Sequence, residues 1–117
     1  MEKEEQIIAE LKAQLPKSDA QQRKTWAKRI VDNNLKIKRL SSLLLSDYKI
    51  ATRFSWLLSD IGEYSNSFLE AGLPHLWAMR KEVKTFQFES CFVTYWSLCG
   101  IPEEQEGIAL DLSLIHI

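Results

Sequence analysis

The sequence predicts an all-α protein of about six or seven helices arranged as antiparallel hairpins. Apolar residues recur at spacings of three and four along nearly the whole 117-residue chain, which is the period of an amphipathic helix. The chain has only four Gly and three Pro, too few turn residues for an all-β sandwich with its many hairpins. No segment shows the alternating pattern of a half-buried strand. This length fits one domain, which we expect to span residues 1–111.

The first two predicted helices have clear boundaries. A helix over 2–15 ends at Pro16, and a helix over 19–32 starts at Ser18 or Asp19, which are both good N-cap residues. Their predicted core positions are Ile7, Ile8, Leu11, Leu15, Trp26, Ala27, Ile30 and Val31.

Helices over 35–45 and 47–64 come next, and Ser46–Asp47 caps the second of them. Their predicted core positions are Ile37, Leu40, Leu43, Leu44, Ile50, Phe54, Leu57, Leu58 and Ile61.

Gly72 and Pro74 predict a break, so we expect the following helix to begin at Pro74 and to run over 74–81. Four apolar residues keep helical spacing across this break: Leu69, Leu73, Leu76 and Met79.

The last two predicted helices, over 85–99 and 102–111, are separated by the turn that begins at Gly100. Pro102 suits the first position of the final helix. The helix over 85–99 is apolar on almost all sides, so we expect it to have neighbours on several sides. Such a helix fits the middle of a stacked array better than a two-layer hairpin.

The segment LLLSDYKIATRFSWLLSDIGEYSNSFLEAGLPHLWAMRKEV, followed by FESCFVTYWSLCGIPEE, resembles the HEAT and armadillo repeats of α-solenoid proteins. The resemblance is carried by a helix with an A-x-R-x-x-W-x-L centre, followed by a Pro-marked second helix and a neighbouring pair. It covers Leu43 to about Asp111. It implies a right-handed solenoid fragment of stacked antiparallel hairpins, although a fold does not by itself fix a function.

The last six residues, LSLIHI, are expected to lie outside the native sequence. Their reverse translation resembles the end of an adapter used in transposase-based sequencing. We therefore interpret residues 112–117 as read-through, and the helical-repeat domain over 1–111 as truncated. His116 then drops out, which leaves His75 as the native histidine.

The segment from Lys17 to Arg39 carries eight basic and two acidic residues, a local charge of +6 in a chain of net charge −1. Phosphate recognition requires such a patch, and HEAT-like DNA glycosylases bind DNA through basic concave faces. The phosphate contacts would come from Lys24, Lys28, Arg29 and Arg39. A solvated outer face has a similar composition, and aromatic residues do not alternate with the basic ones. Nucleic-acid binding is therefore the alternative function.

The favoured function is protein binding without catalysis, by a cytoplasmic module whose partner the sequence does not identify. Trp56 lies off the apolar stripe of its helix, where an exposed Trp would be a strong anchor for a partner. Lys49 shares that side of the helix, and Trp77 is the third candidate interaction residue. Packing between repeats would also account for Trp56.

The sequence contains no catalytic constellation, so it predicts neither an enzyme nor a cofactor. His75 has no Asp, Ser or Cys at a suggestive spacing, and we interpret it as a surface residue at a helix start. An enzymatic role would need acidic groups that converge on His75.

Cys91, Cys99 and His75 lack the spacing of a metal site. The two cysteines would lie about 12 Å apart on one helix, which is too far for a disulfide. We interpret them as two buried thiols. No apolar run reaches the ~18–20 residues of a membrane span.

Overall fold

A computed structural model describes residues 2–83 and 87–100. Over these residues the chain forms α-helices and short 3-10 helices and contains no strand, which confirms the all-α prediction. The α-helices are α1 (Glu2–Gln14), α2 (Ala20–Asp32), α3 (Ile37–Leu40), α4 (Tyr48–Tyr64), α5 (Asn66–Met79) and α6 (Gln87–Cys99). The 3-10 helices follow α1, α3 and α5 and span Leu15–Lys17, Ser41–Leu45 and Arg80–Glu82. The helix predicted over 102–111 and the tail over 112–117 lie outside the described residues.

Aspartate side chains fix the starts of α2 and α4, close to the predicted boundaries. The Asp19 carboxylate accepts the backbone N–H of Gln22 at 2.8 Å, and the Gln22 side chain accepts the backbone N–H of Asp19 at 2.8 Å. This reciprocal pair is a capping box. Asp47 accepts the backbone N–H of Ile50 at 3.0 Å. The predicted N-caps are therefore confirmed, with Asp19 rather than Ser18 at the first.

The helix predicted over 35–45 is divided into two types of helix. Only Ile37–Leu40 is α-helical, and Ser41–Leu45 winds as a 3-10 helix. The Ser41 hydroxyl donates to the Lys38 carbonyl at 2.7 Å. In a continuous α-helix that carbonyl would accept a backbone N–H four residues later, so the side chain competes with the α-helical hydrogen bond. The four predicted core positions of the segment are nevertheless all buried: Ile37, Leu40, Leu43 and Leu44.

The predicted break at Gly72 and Pro74 does not occur, and the prediction of a helix that starts at Pro74 is wrong. α5 begins at Asn66 and passes through both residues. Proline lacks the N–H that would bond the Glu70 carbonyl four residues earlier. Pro74 and Glu70 are both exposed, so water can reach that carbonyl. The helix stays intact because its apolar stripe is buried on both sides of the proline, at Leu69, Leu73, Leu76 and Met79.

The central helix of the described structure is α4, which packs against α2, α5 and α6. Its apolar stripe is buried as predicted, and so are the stripes of the other described helices. Only Ile8 and Val31 among the predicted core positions are partly buried. The side of α6 that faces α4 and α5 carries four buried aromatic residues: Phe88, Phe92, Tyr95 and Trp96.

A small polar cluster lies inside this aromatic core. The Tyr95 hydroxyl donates to the carbonyl of Ser55, on α4, at 2.6 Å. Burial raises the pKa of Tyr95 well above its usual value, and burial also raises the pKa of the neighbouring Cys91 thiol. Cys91 and Cys99 are free and half-buried, so they are more accessible than the buried thiols that we expected. None of the described helices combines the length and apolar character that a membrane-spanning segment requires.

Candidate interaction site

Trp56 lies on the outer side of α4, beside α2, with 40% of its surface exposed. Two guanidinium groups flank the indole. The Cζ atom of Arg23, on α2, lies 5.3 Å from the ring centroid, and that of Arg53, on α4, lies 5.8 Å from it. Both distances fall within the ~6 Å range of cation–π interactions. The contact with Arg53 follows from the sequence, because residues three apart meet on a helix surface.

A second contact holds each arginine in place. Arg23 Nε donates to Oδ2 of Asp60 at 3.4 Å, and these two side chains are only 16% and 14% exposed. Arg53 Nη1 donates to the carbonyl oxygen of Ser18 at 2.6 Å. We call Arg23, Arg53, Trp56 and Asp60 the Trp56 site. Because Asp60 and the Ser18 carbonyl hold the two guanidinium groups in place, the indole between them has a defined position before any partner binds.

Burial raises the pKa of Asp60 above its ordinary value of 3.8, although the charge and hydrogen bond of Arg23 act in the opposite direction. The folded carboxyl therefore holds its proton more tightly than the unfolded one. Below the pKa of the unfolded carboxyl, protonated Asp60 makes its full contribution to the stability of the folded protein. This contribution is lost as the pH rises through the higher pKa of the folded carboxyl.

We expect a carboxyl-carbon NMR titration to give Asp60 a pKa above 3.8, and the Arg23→Gln variant to raise that pKa further. The reason is that the variant removes the main group that lowers the pKa. Lys28→Gln removes the same charge from α2 but does not touch Asp60, so it serves as the matched control. A pKa at or below 3.8 in the unsubstituted protein would contradict this prediction, because the interactions with Arg23 would then outweigh the effect of burial.

The other two predicted interaction residues do not take part in the cation–π contacts of Trp56. Trp77 is half-buried against α6, with ring centroids 5.0 Å from Phe92 and 5.3 Å from Trp96. The Cζ atom of Arg80 covers it at 3.8 Å from the ring centroid. Trp77 therefore forms the edge of the aromatic core. Lys49 is exposed on α4, but the cation–π contacts of Trp56 come from the two arginines.

Of the four residues predicted to contact phosphate, the two arginines form ion pairs with α1 and the two lysines are exposed on α2. Arg29 forms a two-bond pair with Glu10, on α1, at 3.3 and 3.1 Å, and its Cζ lies 4.7 Å from the Trp26 ring centroid. Arg39 Nε lies 3.9 Å from the carboxylate of Glu4. Lys24 and Lys28 are exposed one turn apart on α2. The carboxylates of α1 thus already compensate two of the four predicted charges.

The interpretation of His75 as a surface residue at a helix start is wrong. It lies inside α5, is half-buried, and its Nε2 is 3.0 Å from the Ser41 hydroxyl oxygen. The Ser41 proton is directed at the Lys38 carbonyl, so Nε2–H is the donor between the two side chains. Ser41 is only 5% exposed. This geometry fixes the imidazole ring and leaves it poorly placed to activate the hydroxyl as a nucleophile.

The Trp56 site offers binding chemistry, since it presents an apolar plane bordered by two cations and one carboxylate. Within residues 2–83 and 87–100, no cluster of three or more His, Cys, Asp or Glu residues is arranged to hold a metal ion. No protein-family model matches this chain, and no curated protein or solved structure is significantly similar to it.

Proposed function

We propose that this chain is a non-enzymatic, cytoplasmic helical-repeat module that binds a protein partner through the Trp56 site. The observation that carries the proposal is an indole, 40% exposed, flanked by two guanidinium groups. Trp and Arg are among the residue types most enriched at binding hot spots, and such residues act best from rigid elements. Here the contributing residues come from two helices that pack directly against each other.

The proposed architecture is a fragment of a right-handed, HEAT-like solenoid. It is supported by α4, which has helical neighbours on several sides, and by α5, which packs against α3, α4 and α6. In a solenoid each hairpin buries its apolar face against the next, so helices in the middle of the array have such surroundings. An experimental structure with helices closed into a single bundle would contradict this arrangement.

The binding proposal predicts that Trp56→Ala weakens partner binding about 30-fold, the effect of losing a hot spot worth about 2 kcal/mol. The partner is first captured by a photoreactive benzoylphenylalanine in place of Lys49, which is exposed on the same helix. The partner is then purified, and its affinity is measured by calorimetry for each variant.

Tyr48→Ala is the matched control, because Tyr48 is an aromatic residue of α4 that is 48% exposed. It should change the affinity less than about twofold. Circular dichroism melts check that both variants remain folded. If Trp56→Ala and Tyr48→Ala have the same affinity as the unsubstituted protein, the partner does not use the Trp56 site, and the proposal fails.

The nucleic-acid alternative stays a prediction with its own test. With Arg29 and Arg39 in ion pairs, Lys24 and Lys28 would carry most of the phosphate contacts. We expect fluorescence anisotropy to show no binding of duplex DNA at low salt. Binding that weakens steeply with salt, and that Lys24→Glu/Lys28→Glu abolishes, would favour the alternative instead.

A further inference from the structure

A groove of about 280 Å³ runs between α3 and α5, away from the residues of the Trp56 site. Its floor is apolar and consists of Ile37, Phe68, Ala71 and Gly72. Gly72 brings the two helices close together, since a Cβ atom at this position would lie 2.7 Å from the Cβ of Ile37. A groove of this size lies just below the usual range of ligand pockets, roughly 300–1,000 Å³.

All the ionisable side chains that line this groove are basic. They are Lys36, Lys38 and His75. Lys36 Nζ donates to the neutral side-chain oxygen of Asn34 at 3.2 Å, which leaves its charge uncompensated. In the described part of the chain neither lysine has a carboxylate within ion-pair distance.

The two arginines among the predicted phosphate contacts are different. Arg29 and Arg39 are both paired with carboxylates of α1, so they neutralise charges within the protein. Lys36 and Lys38 instead border an apolar floor with no internal counter-charge. An anionic ligand with an apolar part would satisfy both features.

The wall of the groove formed by His75 is fixed. Its Nε2–H donates to the buried Ser41 hydroxyl, whose own proton is directed at the carbonyl of Lys38. This chain of hydrogen bonds ties α5 to the end of α3, so the two walls of the groove are joined by polar contacts as well as by the Gly72 packing. The groove therefore exists before a ligand binds, which lowers the entropic cost of binding.

We propose that the groove between α3 and α5 is a binding site for a small carboxylate with an apolar body. The apolar part lies over Ile37, Ala71 and Gly72, and the carboxylate lies between Lys36 and Lys38. This proposal does not depend on the Trp56 site.

The test uses 4-phenylbutyrate as the charged probe and 4-phenylbutan-1-ol as its uncharged counterpart. Each is titrated into the ¹⁵N-labelled full chain at low salt, and amide NMR shifts are followed. We expect saturable shifts at Ala71 and Gly72 with 4-phenylbutyrate. The dissociation constant should be on the order of millimolar, as is typical of a ligand with about twelve non-hydrogen atoms. The alcohol should bind about fivefold more weakly, because it lacks the charge.

Two variants separate the role of charge from that of shape. Lys36→Met/Lys38→Met keeps the side-chain stems and should weaken 4-phenylbutyrate about fivefold without affecting the alcohol. Ala71→Trp fills the groove and should weaken both probes. Ala71 is exposed, so this variant should remain folded.

Lys24→Met/Lys28→Met is the matched control, because it removes the same charge from α2. It should leave binding of 4-phenylbutyrate unchanged. The proposal is overturned if 4-phenylbutyrate causes no saturable shifts, if the alcohol binds equally well, or if both double variants weaken binding equally.

Discussion

Replacing Gly72 with alanine is expected to destabilise the protein by about 1–3 kcal/mol, and replacing it with valine by more. An added Cβ would lie 2.7 Å from both Cβ and Cγ2 of Ile37, and 2.9 Å from its Cδ1. Ile37 cannot move aside easily, because its Cβ is attached directly to the backbone of α3 and is branched. Relief requires that α3 and α5 separate. This cost exceeds the gain of about 1 kcal/mol that alanine normally brings over glycine inside a helix.

Gly62→Ala is the matched control for this prediction, because Gly62 is also buried within a helix. A Cβ there would meet Leu69 Cδ2 and Leu98 Cδ1, which are the ends of flexible side chains. These ends can rotate, so Gly62→Ala should change stability much less than Gly72→Ala. Urea unfolding of both variants gives the comparison. If Gly72→Ala is as stable as the unsubstituted protein, α3 does not pack closely on α5 in solution.

Most of the helical framework could be predicted from the sequence because its determinants are local. The apolar stripes of α1, α2 and α4 follow from spacings of three and four, and the caps at Asp19 and Asp47 follow from residue type. The start of α5 could not be predicted in this way. Local rules assign Pro74 to a helix start, whereas the buried stripe on both sides of it keeps the helix continuous.

The candidate sites show the same division between local and long-range contacts. The Arg53–Trp56 contact lies within one helix turn and could be predicted from its spacing. Arg23 and Asp60 are separated by 37 residues, and Ser41 and His75 by 34. These pairs exist only because α2 packs on α4 and α3 packs on α5. A single sequence does not contain that information in any local pattern.

Phe92→Ala is expected to destabilise the protein by about 3–5 kcal/mol, the largest loss that we predict for a single substitution. Phe92 has no exposed surface and is the centre of the aromatic core. Its ring centroid lies 5.2 Å from those of both Phe88 and Tyr95, 5.4 Å from that of Trp96 and 5.0 Å from that of Trp77. The substitution leaves a cavity and also removes these ring pairs, each worth ~0.5–1.5 kcal/mol beyond its buried area. A domain of this size has a total stability of only about 5–15 kcal/mol.

The measurement is urea unfolding followed by tryptophan fluorescence and far-ultraviolet circular dichroism. Phe92→Leu should lose distinctly less stability than Phe92→Ala, because leucine refills part of the cavity. Thr94→Ala, an exposed change on the same helix, should stay within about ±0.5 kcal/mol of the unsubstituted protein. If Phe92→Ala also stays within that range, α6 is not packed against α4 and α5 in solution. The aromatic core, and the half-buried position of Trp77 at its edge, would then have to be abandoned.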